Sequence, residues 1–96
     1  MKEIVLREEA EADLQAAWSW YEARRAGLGD EMLLEVRAKL DAVAETPGLF
    51  AKIRGDVRRA LVRRFPYSIF FVEESQRIVV LAVMHGARDP RTWPRN

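Results

Sequence analysis

The chain's one histidine, His85, stands three residues before Arg88 in the stretch "VMHGARDPRTW" at positions 83–93. An imidazole can take or give a proton near neutral pH, and a guanidinium offers a planar fork of donors that matches a carboxylate or a phosphate. The pair is therefore a candidate base and phosphate clamp. The bland alternatives are a hydrogen-bonded structural histidine and a local Arg88–Asp89 pair that holds the turn. Trp93 follows closely, either packing back onto the body or presenting its indole to a partner. Upstream, Arg58, Arg59, Arg63 and Arg64 sit in "VRRALVRRF" (57–65). As a group they suit an anionic partner, either nucleic acid or an acidic protein surface.

The formal net charge of +1 conceals a division along the chain. Residues 1–51 carry six cations against eleven acids, whereas residues 52–96 carry ten cations against four acids. Nine of those ten cations are arginine, so the basic half is built from fork-shaped donors rather than point charges. A chain of 96 residues implies one domain, 1–96, near the lower limit for a self-sufficient core. No cysteine is present, which excludes disulfides and thiolate ligands, and a single histidine argues against a zinc site. No metal or organic cofactor is indicated, since the chain has neither a Gly-rich phosphate loop nor a ligand cluster. The N-terminus does not read as a signal peptide, and "IVVLAVM" is far shorter than the ~20 residues of a membrane span. The expectation is a cytoplasmic protein without a membrane partner.

These side chains need elements to hold them. "KEIVL" (2–6) reads as a first strand. Glu8, Glu9, Glu11 and Asp13 then crowd the start of a helix, where the dipole favours negative charge. Ala10, Leu14, Ala17, Trp18 and Tyr21 recur at helical spacing and form its buried face. Trp20 lies roughly 100° around the axis from Tyr21, so it borders that face or leaves it, and it is the helical residue expected at an interface. "AGLGD" (26–30) turns the chain, with Asp30 as candidate N-cap. Leu33, Val36, Leu40 and Val43 make a second apolar face, ended by "TPG" at 46–48. The short link predicts an antiparallel helical hairpin.

Residues 49–56 read as irregular and 57–65 as a half-exposed strand. "YSIFFVE" (67–73) and "RIVVLAVMH" (77–85) follow, joined by a hairpin turn. Both are nearly continuous apolar runs, as expected of central strands. Alternation puts Arg59 and Arg63 on one face of their strand and Arg58 and Arg64 on the other. With Ala60 and Val62 inward, the favoured arrangement, Arg59 and Arg63 lie on the open side. The order β-α-α-β-β-β gives an α+β fold, a small antiparallel sheet packed against an N-terminal helical hairpin. An acidic helical layer would then back a basic sheet surface.

The "ETPGLF" hairpin end, the Arg-rich strand, "RRFPYSIFF" and "VVLAVMHGARDPRTW" together resemble the ParE/RelE superfamily of bacterial type II toxins, and most closely its ParE-like branch of plasmid-stabilisation modules. The likeness spans essentially the whole chain. It implies a toxin neutralised by a cognate antitoxin, commonly a ribbon-helix-helix or similar DNA-binding dimer. ParE-like members inhibit DNA gyrase without chemistry of their own. RelE-like members are ribosome-dependent endoribonucleases that cleave mRNA, often with a C-terminal tyrosine. Trp93 stands in that region here, and an indole cannot shuttle a proton, so the gyrase reading leads. In the nuclease alternative His85 and Arg88 would be catalytic. In the gyrase reading Trp20, Arg58, Arg59, Arg63, Arg64, Arg88 and Trp93 would contact target or antitoxin.

Overall fold

A computed structural model describes residues 1–95. Strand β1 (Glu3–Leu6) leads into helix α1 (Glu8–Arg24) and helix α2 (Leu28–Glu45). A single 3-10 turn at Pro47–Leu49 precedes β2 (Lys52–Arg54), β3 (Val57–Leu61), β4 (Tyr67–Glu73) and β5 (Arg77–His85), and a second 3-10 turn spans Pro90–Thr92. The expected order is present, with the three-residue β2 added in the segment read as irregular. The Arg-rich strand stops at Leu61, earlier than its composition suggests, because the chain turns ahead of Pro66.

The five strands form one sheet in the order β1-β5-β4-β3-β2. It is mixed rather than antiparallel. β1 runs parallel to β5, pairing Ile4 with Ile78 and Leu6 with Val80, while the other neighbours are antiparallel. Parallel neighbours need a long crossover, and the two helices supply it between β1 and the rest of the sheet.

Only Arg25, Ala26 and Gly27 separate the helices. Asp30 is not the N-cap. That position falls to Gly27, whose φ of 90° is left-handed and suits glycine. The cap carboxylate comes instead from the preceding helix: Glu22 accepts the N–H groups of Gly27 and Gly29 at 2.8 and 2.9 Å, placing negative charge on the amino end of α2. Asp30 accepts from the Trp18 indole N–H at 2.9 Å, a second tie between the helices. At Gly29 the two helices nearly touch, and a β-carbon there would lie 2.8 Å from the Trp18 carbonyl oxygen and 2.7 Å from its ring.

The helices cover one face of the sheet. Ala10 and Ala17 of α1 and Met32, Val36 and Val43 of α2 meet Ala60, Ile69, Phe71, Ile78 and Val80 in a continuous apolar layer. Met32 takes the deep position expected of Leu33, which is exposed. The opposite face is not a bare basic surface. Val57, Phe70, Val72, Val79, Leu81 and Ala82 form a second buried cluster, closed in part by Ile53, Met84 and Trp93. The apolar runs of β4 and β5 are thus explained by burial on both sides.

β5 carries one residue more than β4 can match. Phe70 pairs with Ala82 and Phe71 with Val80, leaving Leu81 as a bulge. Leu81 and Ala82 both join the second cluster, and Val83 returns to the helix-covered face. Strict alternation from Val80 would have sent Val83 and His85 to the other side. The extra residue turns the last part of β5, and His85 with it, toward α1.

Gly29→Ala should destabilise the protein by about 1–3 kcal/mol, the usual cost of overpacking where a backbone atom cannot yield. Urea unfolding followed by far-ultraviolet circular dichroism would measure it. An unchanged midpoint would show that the helices have room to separate.

Candidate functional site

A cavity of about 440 Å³ opens where the end of β5 meets α1, lined by Asp13, Ala16, Ala17, Trp20 and Tyr21 from the helix and by Tyr67, Val83, Met84, His85 and Arg88 from the sheet and its turn. Small residues at 16 and 17 leave the space, and aromatic rings make its walls. Tyr67 and His85 are direct cross-strand partners whose rings meet edge to face at 5.3 Å. Tyr21 reaches between Phe65 and Tyr67, with centroids 5.0 and 6.1 Å away. Trp20 stands at the mouth, 51% exposed, with the Arg24 guanidinium 3.6 Å from its ring centre. Trp20 is half exposed yet packs on Tyr21, in keeping with the expectation that it borders the buried face or leaves it.

The polar groups have defined states. His85 Nδ1 accepts the Ala87 backbone N–H at 3.0 Å, so in the neutral ring the proton resides on Nε2. The imidazole then offers its surroundings a donor, and its one lone pair is engaged. Burial raises the Tyr67 phenol above its ordinary value, nearby Tyr21 adds to this, and Arg88 opposes it. Burial also raises Tyr21, against a smaller lowering by its hydrogen bond with Tyr67. Both phenols remain protonated donors at neutral pH. Asp13 has one oxygen tied to the Val83 N–H at 2.9 Å, beyond the last β1 pairing at Val80, and this fixes α1 against β5.

Arg88 is held to His85 through the backbone, its N–H donating to the His85 carbonyl at 3.0 Å. The local Arg88–Asp89 pair does not form. Asp89 caps the following 3-10 turn and pairs with Arg91 at 2.7 Å, which lowers its carboxyl below the ordinary range. Among the described residues Arg88 has no carboxylate within ion-pair distance.

Arg54, Arg58, Arg59 and Arg64 are divided among three tasks. Arg64 occupies a left-handed backbone position (φ 69°), and its guanidinium reaches α2, pairing with Glu31 at 2.9 Å and Glu35 at 3.5 Å. Arg64 first, then Arg25, pulls the Glu31 carboxyl down. Arg58 donates to the Phe50 carbonyl at 2.6 Å, and Arg54 donates to the carbonyls of Pro90 and Trp93 at 3.2 Å each. Arg59 lies over the Trp93 indole at 4.9 Å, and that indole packs against Phe70 at 5.3 Å. Trp93 is therefore a tail anchor, and Arg59 and Arg54 hold it. Ala60 and Val62 do point inward, and Arg63 is left exposed beyond β3. The four arginines of 58–64 do not converge on one surface. Arg64 is neutralised by the fold's own acids, while Arg58 and Arg59 keep their charge but serve as fasteners.

Three lining groups escape a sequence reading: Asp13, Tyr21 and Tyr67. Asp13 sits among helix-start acids and looks like one more of them. Tyr67 looks architectural in "FPY", and nothing local shows that the bulge will bring His85 beside it. The spacing of Asp13, Ala17 and Tyr21 (i, i+4, i+8) is a usable signal for one helix face.

A family model described as ParE toxin of type II toxin-antitoxin system, parDE, matches residues 4–90. A chain of the chromosomal ParDE TA system from P. aeruginosa is similar in fold, with a TM-score of 0.78 at 18% identity over 88% of this chain and 96% of that one. No curated protein matches the chain.

Tyr21 and Tyr67 are the chain's two tyrosines, so phenolate absorbance reports on them alone. Both should ionise later than free tyrosine, whose pKa is about 10. Arg88→Gln should delay Tyr67 further, because the guanidinium holds it down. A phenol raised in the folded state contributes stability below the unfolded pKa, and loses it as pH climbs through the folded value, so this contribution should fade above about pH 10. Two ionisations at the free-tyrosine position would contradict the burial described.

Proposed function

The chain belongs to the ParE toxin family of type II toxin–antitoxin systems, and on that premise we propose that it poisons DNA gyrase by binding and is silenced by a cognate antitoxin. The observation that supports binding over catalysis is the state of His85. A nuclease acting through the RNA 2′-hydroxyl needs a free proton acceptor. The His85 lone pair is occupied by the Ala87 N–H, and the two nearby phenols are held protonated. Trp93, in the region where RelE-like nucleases often carry a tyrosine, is committed to Phe70. What remains at the site is a set of donors, an exposed indole and the Asp13 carboxylate, which is engaged in holding α1 to β5 through the Val83 N–H.

The antitoxin is a DNA-binding dimer of ribbon-helix-helix or similar type, whose tail lays an apolar helix face into a groove on the helical hairpin. That groove, of about 380 Å³, is lined by Ile4, Leu14, Leu33, Val36 and Leu40 with Arg37 and Asp41 at its sides. Leu34, 69% exposed on the same helix, extends the apolar surface. Helix-in-groove binding is read through anchors at such spacings.

One rival has an observation in its favour. His85, Arg88 and Tyr67 do lie together, as an mRNA nuclease working on the ribosome would need. Induction in cells, scored in parallel for plasmid topology and for transcript integrity, separates the two. The gyrase reading expects relaxed or cleaved plasmid with intact messages, and the purified protein should block supercoiling by gyrase without ribosomes. Codon-phased mRNA cuts with normal supercoiling would reverse the assignment. Leu33→Glu should weaken antitoxin binding by at least tenfold in titration calorimetry, since it places a charge in an apolar contact. Unaltered affinity would move the antitoxin elsewhere.

A further inference from the structure

Three donors line the cavity beside α1, and one of them, the Tyr67 phenol, already meets Tyr21. Tyr67 carries a phenol kept protonated by its surroundings. His85 is committed to the Nε2–H tautomer by the Ala87 N–H. Arg88 has lost its sequence neighbour Asp89 to Arg91 and has no ion-pair partner among the described residues. A phenol, an imidazole N–H and a guanidinium together form the donor set of an oxyanion receptor. Their relative placement is built in: Tyr67 and His85 are a cross-strand pair, and the Arg88 N–H is bonded to the His85 carbonyl.

We propose that Tyr67, His85 and Arg88 form a receptor for a single carboxylate, presented by a protein segment beside an apolar side chain that rests on Trp20. The oxyanion is a carboxylate rather than a phosphodiester because of what lies on the other wall. Helix α1 brings Asp13 into the same cavity and carries Glu8, Glu9 and Glu11 in its preceding turns. A nucleic-acid strand bears one charge per nucleotide and would run its next phosphates along those acids. An isolated carboxylate among apolar residues sets a single charge against Asp13 where a strand would set several along the helix. Ala16, Ala17, Val83 and the exposed Trp20 supply the apolar remainder. The receptor lies across α1 from the groove assigned to the antitoxin, and has only Arg88 as a full positive charge.

This assignment rests on the toxin reading only in taking the occupant to be a protein, and it is testable without antitoxin or gyrase. The full-length protein, labelled with nitrogen-15, is titrated with N-acetyl-leucyl-glutamate amide and, separately, with its neutral isostere N-acetyl-leucyl-glutamine amide. The acidic peptide should shift the His85 Nε2–H and Arg88 side-chain resonances, and should bind at least tenfold more tightly than the neutral one. Arg88→Gln and Tyr67→Phe should each reduce that binding severalfold, and circular dichroism should confirm that both variants are folded. Equal binding of the two peptides, or shifts that survive Arg88→Gln in folded protein, would overturn the receptor. A single-stranded RNA oligonucleotide that produces the same shifts at lower concentration would overturn the choice of carboxylate over phosphodiester. If the acidic peptide binds as expected but gyrase is not inhibited, the receptor stands and the gyrase assignment falls. Gyrase inhibition without selective peptide binding leaves the reverse outcome.

Discussion

A single extra residue in β5 decides which side of the sheet the chemistry occupies. Leu81 has no partner in β4, so two consecutive side chains, Leu81 and Ala82, enter the layer away from the helices. Every later position is thereby shifted by one. Val83 packs under α1, Tyr67 and His85 face each other on the same side, and the turn after His85 delivers Arg88 to the cavity mouth. Asp13 then secures the arrangement by accepting the Val83 N–H, which β1 is too short to use. The cavity is a consequence of register, and register in an antiparallel pair is all-or-none because the side-chain period is two.

Guanidinium groups serve this fold largely as structural donors. Arg54 and Arg58 satisfy backbone carbonyls in the irregular connections around β2 and the tail, where no ladder is available to do so. Arg59 covers the Trp93 ring, and Arg64 joins the β3–β4 connection to α2 through two carboxylates. Arginine suits these tasks because one side chain can donate in several directions and still lie flat against an indole. The charge division of the sequence is real, yet it is partly consumed in holding the acidic and basic halves of the chain together. Arg63 and Arg88 remain outside these internal uses, and among the described residues their guanidinium groups meet neither a carbonyl, a carboxylate nor a ring.

Much of the fold was legible because its signals are local. The 3.6-residue spacing of Ala10, Leu14, Ala17 and Tyr21, the acids at the start of α1, and the stop at Thr46–Gly48 are read from neighbours in sequence. The limits of β4 and β5 follow from their apolar runs and the turn between them. What failed depended on partners distant along the chain. Asp30 looked like a cap because nothing local shows Glu22 folding across onto Gly27 and Gly29. The parallel pairing of β1 could not be distinguished from an antiparallel one, since a four-residue apolar strand reads alike in both. The bulge was invisible for a related reason. A strand buried on both faces has no polar alternation, so a slip in its register leaves no mark in the sequence. Of the site, His85, Arg88 and Trp20 were legible by residue type, whereas their association with Tyr67, Tyr21 and Asp13 came from that unseen slip.

The pairing of β1 with β5 joins Glu3 to Arg77 and Leu6 to Val80, contacts between nearly opposite ends of the chain. Such closure is entropically unfavourable until most other contacts exist, so docking of this short strand is expected late in folding. Until then β5 displays one unpaired border, strongly apolar and rich in β-branched residues. That border can accept an extended segment from a neighbouring molecule as readily as its own N-terminus. The same seam that completes the sheet is therefore the point at which two chains could exchange strands, and high protein concentration during folding raises the chance of that exchange.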